Sequence, residues 1–444
     1  MAIIKLKKGL DIDLKGKIQS NAIRNENPCS IYAIIPDDYP GISPRMEKRV
    51  GDTVAAGEPI FHDKDFESIK ITSPVGGTIK DIVRGERRKI EAVVIEKNDA
   101  TTPLSFDTQS SAPADILLQS GLWAALRQRP YDIVPRPDTK PRDIFVTCFD
   151  SAPLAPDLYL YVKGKRDILE KAVAVLDTLT SGRVYLGCRP ESKIELKGAI
   201  TNVFYGPHPA GNVGVQIANT IPVNKGEAVW TLDIVTLLKI GTLFTTGTVD
   251  YSTLVAITGA EVNAPQYVRA TAGCSLASLL QGCLSDSETP KRIICGNVLT
   301  GTPASIDSYL RFPFRQVTVI PEIIKKDEFM GWASLSPKKF SIYHDFTSWL
   351  FGKFSRNLNL DAKFNGSERA IVMSGEYDRM LPMDIYAEYL IKAILAFDID
   401  KMEQLGIYEV APEDFALAEY ADTSKLHLQD IVRDGLNKLR KEMS

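Results

Sequence analysis

A chain of 444 residues has room for two to four domains at roughly 150 residues each. Its 44% hydrophobic and 25% charged residues are those of an ordinary globular protein with material for several cores. A net charge of −3 gives no electrostatic basis for binding nucleic acid, so that class of partner is set aside.

The six cysteines (Cys29, Cys148, Cys188, Cys274, Cys283 and Cys295) are scattered and form no C-x2-C pair. That spacing argues against a zinc or iron–sulfur site. So few cysteines in so long a chain also argue against a disulfide framework, which points to a reducing compartment. Near the start, Lys5, Lys7 and Lys8 stand where a signal peptide needs an apolar core. No apolar run approaches the length of about 18 residues that a membrane span requires, so membrane contact is expected only through a partner.

Residues 31–98 read as short strands between turns. "VGDTVAAGEPIF" (50–61) places Val54, Ile60 and Phe61 on a buried side, with turns at Gly51-Asp52 and Gly57-Glu58. "ITSPVGGTIKDIV" (71–83) repeats the scheme around Gly76-Gly77, and "KIEAVVIEK" closes it. The spacing is similar to biotinyl/lipoyl carrier domains, in which a hairpin tip exposes a modified lysine. Lys64 sits near that place, followed by "DFES", and reads as an unmodified surface lysine. The basic run Arg84–Lys89 contains a glutamate and reads as a solvated hairpin end. Residues 1–98, N-terminal strand included, are thus expected to form a carrier-like β-sandwich.

Residues 99–114 are polar and proline-bearing, a linker or crossover. "ADILLQSGLWAALRQRP" (114–130) predicts a helix ended by Pro130. Strand "DIFVTCF", helix "DILEKAVAVLDTLTSG", strand "RVYLG" and strand-loop-helix "AITNVFYGPHPAGNVGVQIAN" then alternate. That alternation predicts a Rossmann-like α/β unit over 99–250, with ligand-binding loops at the carboxyl ends of its strands. From 251 to 335 the order is strand, strand, short helix capped at Ser275, strand, strand, as in a β-grasp unit of the SLBB-like kind. Residues 336–444 read as helical, with apolar stripes in 383–406 and 427–443. The fold class expected is therefore multi-domain α/β and α+β.

Two stretches could carry chemistry. The loop "GPHPAGNVG" (206–214) is rich in glycine and stiffened by Pro207 and Pro209. It is neither a dinucleotide fingerprint nor a P-loop. His208 in it could donate a proton or a hydrogen bond to a quinone or phosphate, or simply fix the turn. The other histidines, His62, His344 and His427, are isolated in sequence and read as structural. Aspartates at turns, such as Asp37-Asp38 and Asp398/Asp400, read as solvated caps. No nucleophile elbow, G-x-S-x-G, occurs.

The second stretch is "AIVMSGEYDRMLP" (370–382). A bacterial iron–sulfur loop reads C-x2-C-x2-C-x3-C-P. Laid back from Pro382, the ligand positions are Ile371, Ser374, Tyr377 and Leu381, and none can hold iron. The same spacing some forty residues on gives Ala411, Asp414, Leu417 and Ala421. Two such frames bracketing helices have the layout of a two-cluster ferredoxin without its ligands.

Taken in this order, with "IKLKKGLDIDLKG", "GDTVAAGEPIFHDK", "GPHPAGNVG", "IGTLFTTG", "ITGAEVNAP" and the sulfur-free "SGEYDRMLP", the chain resembles the RnfC/NqrA family of electron-transport subunits. RnfC-type members of that family keep the cysteines. The resemblance implies a peripheral subunit of a sodium-translocating NADH:quinone oxidoreductase, on the cytoplasmic face of the bacterial inner membrane. It implies docking on other subunits, chiefly the quinone-side membrane subunit. It also implies no tightly bound redox cofactor in this chain. NADH, flavins and the iron–sulfur centre would belong to partners, and a quinone is a possible ligand. For quinone contact, residue type points to His208 with Gly206 and Gly211, and to the turn from Tyr131 to Arg136. The competing expectations are a soluble flavin-dependent NADH dehydrogenase and a carrier-like docking protein.

Overall fold

The computed structural model describes every residue except 26, 99–100, 324–356, 364–365 and 444. His344 and part of the expected third and fourth units therefore lie outside the described residues.

The described strands form four sheets. Two of them make the barrel-sandwich. One orders Ile31–Ile34, Ile90–Lys97, Gly77–Arg84 and Thr53–Val54; the other orders Pro44–Met46, Pro59–Asp63 and Lys70–Thr72. Val54, Ile60, Phe61, Ile79, Val93 and Ile95 are shut from solvent, with the adjacent Ile60 and Phe61 both buried where a register shift interrupts the pairing. The first strand of the chain is not part of this sandwich. Ile3–Lys5 pairs in parallel with Ala199–Tyr205, and Ile23–Asn25 pairs in parallel with Gln266–Thr271. The N-terminal segment thus straps two other sheets together.

The central sheet runs Ile3–Lys5, Ala199–Tyr205, Val184–Cys188, Ile144–Thr147, Val229–Asp233 and Arg127–Arg129, all parallel except the last. Helices Arg166–Leu179 and Ile234–Thr246 pack side by side. Asp233 caps the second, its carboxylate accepting from Thr236 N at 2.7 Å. The helix expected over 114–130 stops at Ser120. Gly121 adopts φ 78°, and a Cβ there would lie 2.6 Å from Thr72 Oγ1 of the sandwich, so close docking dictates the break. A 3-10 turn over Leu122–Ala125 then leads into Arg127–Arg129.

In the third sheet the order is Thr302–Ala304, Lys291–Cys295, Gln316–Pro321, Ser252–Thr258, Gln266–Thr271 and Ile23–Asn25. Its central pair, Ser252–Thr258 with Gln316–Pro321, is parallel; the pairs next to it are antiparallel. Helix Leu276–Leu280 follows Ser275, whose side chain makes no capping bond. The C-terminal region packs helices Ala387–Ala396, Ile399–Gln404, Ala416–Ala421 and Leu428–Met443 around one apolar core. The 383–406 stripe is two helices, separated where Phe397 turns left-handed and Asp398 caps the second by accepting from Lys401 N.

Candidate functional site

The loop 206–214 leaves the carboxyl end of a central strand, where parallel sheets bind ligands, and runs into helix Val213–Ala218. Its contacts are inward. His208 is 3% exposed. Its Nδ1 and Ser151 Oγ share a hydrogen bond of 3.0 Å, and Ser151 Oγ accepts from Gly211 N at 2.8 Å. The backbone of His208 donates to Asp11 Oδ1 at 2.9 Å and accepts from Leu10 N at 2.8 Å. Gly9, at φ 117°, makes this approach possible, since a Cβ there would stand 2.2 Å from His208 O. Gly206 lies equally close under Leu6, and Gly211 against Ser151.

Burial, helped by the nearby Arg189 charge, pushes the His208 imidazole down to about 4. At neutral pH it is uncharged, and its buried Nε2 has no hydrogen-bond partner among the described residues. Loop and N-terminal strap thus fold into one closed knot, with Ser151 as its polar centre.

Beneath the same loop sits a feature that sequence reasoning did not find. Arg129, 1% exposed, bonds Asp414 Oδ2 through Nη1 at 2.7 Å and Glu413 Oε1 through Nη2 at 2.9 Å, and also donates to Glu409 O. Burial works against its charge, yet Asp414 and Glu413 hold its pKa above the ordinary arginine range. Gly214 covers this pair: a Cβ would fall 2.4 Å from Arg129 Nη1 and 2.6 Å from Asp414. Asn212 Nδ2 adds a bond to Glu413 O at 3.1 Å. The ligand-type loop and the C-terminal helices are therefore joined through one buried ion pair. The only sequence sign was the run "RQRP", two arginines in a stretch otherwise read as helix end.

The Tyr131–Arg136 turn follows directly. Tyr131 and Asp132 both take positive φ. Their carbonyls accept from Arg433 of the last helix, and Asp132 Oδ2 pairs with the same guanidinium. Tyr131 packs on the C-terminal core, whereas Arg136 is exposed and lies over the Phe66 ring of the sandwich, 4.9 Å from its centroid. The structure thus places the two ends of this turn on different neighbours, and His208 in a separate buried knot.

The sulfur-free frames converge. Tyr377 and Leu381 of the first frame and Leu417 and Ala421 of the second share one apolar core; Ile371 packs on its edge and Ser374 is exposed. Ala411 is buried beside Asp414, whose Oδ2 accepts from Ala411 N at 2.9 Å. The Tyr377 hydroxyl is buried without a hydrogen-bond partner of good geometry. Burial and then the neighbouring Asp422 push its pKa up. Among the described residues no group of three or more His, Cys, Asp or Glu side chains could hold a metal ion.

One expectation is overturned. Asp38 is not a solvated cap: it is 7% exposed, bonded to Arg311 at 2.6 Å and accepting from Phe312 N at 2.9 Å. Burial raises its pKa to about 6, against the opposing pull of Arg311. Its neighbour Asp37 stays exposed and pairs with Lys89 of the basic hairpin end. His62 and His427 pair with Glu47 and Glu368, and Lys64 is exposed after the strand Pro59–Asp63. No helix of the described residues is long and apolar enough to cross a membrane.

Comparison with known proteins gives matches along the chain. Residues 4–98 match the NqrA N-terminal barrel-sandwich hybrid domain, 108–249 the NqrA second alpha/beta domain, and 254–305 the NQRA C-terminal domain. The NqrA subunit of the Na(+)-translocating NADH-quinone reductase of Hahella chejuensis is 35% identical over 453 residues, spanning 99% of this chain and 100% of that protein. Its counterparts in Saccharophagus degradans and Serratia proteamaculans are each 36% identical, again over 99% of this chain and 100% of theirs.

Proposed function

The chain belongs to the NqrA family of Na(+)-translocating NADH-quinone reductase subunits, and from that membership we propose its part in the reaction. It is one component of the enzyme that moves electrons from NADH to a quinone and couples this to Na+ translocation, and it is not catalytic alone. The observation that carries this is the end-to-end match at 35–36% identity.

Redox groups in this reading belong to partner subunits. The chief contact, at the cytoplasmic face, is with the quinone-side membrane subunit. That redox groups belong to partners is supported by the packing of Tyr377, Leu381, Leu417 and Ala421, at the positions where cluster ligands were sought, into one apolar core. The order of the third sheet, a parallel central pair flanked by antiparallel strands, supports a β-grasp unit. Quinone contact is assigned to the Tyr131–Arg136 turn, with Arg136 as its exposed polar end; Arg129 just before it, covered by Gly214 and paired with Asp414, ties the turn to the C-terminal helices, and the knot around His208, Gly206 and Gly211 lies apart from it.

Tagging this chain in its own host tests the reading. Membrane subunits should co-purify with Na+-stimulated quinone reduction. Complex stripped of the chain should keep NADH oxidation by an artificial acceptor and lose quinone reduction. A purified chain that oxidises NADH by itself would overturn the proposal. Arg136→Ala and Tyr131→Ala should raise the quinone KM several-fold with artificial-acceptor activity unchanged, and an unchanged KM removes that turn from the quinone path.

A further inference from the structure

Where the sandwich, the central sheet and the third sheet meet, the described residues enclose a slot. Tyr39 and Thr72 line it from the first, Lys239 and Tyr251 from the helix and connection after the second, and Phe312 and Arg315 from the third. Its cavity volume is about 70 Å³. Its walls are aromatic: Tyr39 stacks on Phe312 with centroids 5.3 Å apart and planes 17° from parallel, and the Tyr251 hydroxyl is fixed by Thr72 Oγ1 at 2.7 Å. All three rings keep part of their surface turned to the slot.

One charge in this slot lacks a counter-charge. Lys239, on helix Ile234–Thr246, makes no ion pair or hydrogen bond among the described residues. The carboxylates that act on it are committed or solvated. Asp233 pairs with Arg315, itself a cation beside the lysine, and Asp250 is exposed and accepts from Ser252 N. Asp38, also lining the slot, is taken by Arg311. Lys239 is half-buried, and an ammonium with no bonded partner in the protein is open to pair with an anion that enters the slot.

We propose that this slot is a binding site for a flat aromatic molecule carrying a single anionic head, its ring lying against the surfaces that Tyr39, Tyr251 and Phe312 turn to the slot and its head paired with Lys239. The site is distinct from the Tyr131–Arg136 turn and does not depend on the quinone assignment there.

The test uses the full chain and two fluorescent probes of similar shape: anilinonaphthalene sulfonate, which is anionic, and phenylnaphthylamine, which is neutral. The sulfonate should bind saturably, one per chain. Lys239→Met should weaken it about tenfold or more, Lys239→Arg should retain it within a few-fold, and the neutral probe should bind all three chains alike. Sulfonate affinity equal in wild type and Lys239→Met overturns the proposal, as does equal loss of both probes in a variant that keeps its melting temperature. Should Lys239→Met not fold, the wild type decides. Burial, and then Arg315, lower the Lys239 pKa to about 8. Asp38 titrates well below that range, and burial holds Tyr39 and Tyr251 well above the ordinary tyrosine value. Sulfonate binding should therefore weaken as pH rises past about 8 while the neutral probe is unaffected, and a sulfonate affinity that stays flat through that range refutes the site.

Discussion

Replacing Asp414 with asparagine tests whether the C-terminal helices are locked to the central sheet by charge. Asp414 and Arg129 are both essentially shut from solvent, 0% and 1% exposed at their side chains, and meet at 2.7 Å. Removing one member of such a pair leaves the other charged and buried, which costs about 3–5 kcal/mol. Arg129 would keep Glu413 at 2.9 Å and Glu409 O at 3.0 Å, but the Glu413 side chain is 43% exposed and screened by water. The low end, about 3 kcal/mol, is therefore expected. Asp414→Leu combined with Arg129→Met removes both charges and should recover much of that loss, because an apolar pair of similar size is often neutral in such a site. With Trp332 and Trp349 replaced by phenylalanine in every chain compared, urea unfolding followed by tryptophan fluorescence reads the central unit, where Trp123 and Trp230 meet edge-on at 5.0 Å. Limited proteolysis reads the helices. In Asp414→Asn the helices should be cleaved at lower urea than the tryptophan signal changes. A loss below about 1 kcal/mol, or a double variant weaker than the single one, would falsify the reading of this pair as a desolvated lock.

The remaining predictions concern packing, pH and cofactor content. Gly214→Ala should destabilise the chain by about 1–3 kcal/mol although alanine is the better helix former, since its Cβ would strike Arg129 and Asp414; equal or greater thermal stability would contradict the geometry. Asp38, with its pKa raised from 3.8 to about 6, contributes stability that is present at acid pH and lost as pH rises through 6. His208, lowered from 6.5 to about 4, contributes stability that is present above 6.5 and lost as pH falls through 4. The two slopes oppose each other, so Asp38→Asn should steepen the loss of stability on acidification and His208→Gln should flatten it, each by up to about 2–3 kcal/mol across the window. Identical pH profiles for both variants and wild type would show that neither group is buried as described. The purified chain should show no flavin or iron–sulfur absorbance between about 300 and 600 nm and no bound iron, and a yellow or brown protein would move redox chemistry into this component of the complex.

How much of this could be read from the residues depended on the reach of the interactions. The sandwich strands were legible because short apolar runs holding Val54, Ile60, Phe61 and Ile79 stand between glycine turns, and their pairing partners all fall within residues 31–97. The central strands were legible for a related reason: a run such as "DIFVTCF" is apolar enough to be buried on both faces whatever its neighbours. What failed was set by contacts between distant residues. Asp38 looked like a turn cap because its local context is a turn; its burial comes from Arg311, 273 positions away. Gly121 ended a helix whose apolar pattern continued, because Thr72 of another unit comes too close for any side chain. His208 read either as a donor to a ligand or as a residue fixing its turn, and its glycine-rich loop alone did not decide between the two. The glycines there serve the second, letting residues 6–11 press against it from nearly 200 positions upstream, as the Asp11 bond over 197 residues records. Arg129 posed the same difficulty: one of two arginines in "RQRP", it carries no local sign of its partner 285 residues on. In the frame "AIVMSGEYDRMLP" the reach is short again, and the residues sort by polarity as local packing requires: Tyr377 and Leu381 turn into the apolar core of the C-terminal helices and Ser374 turns outward.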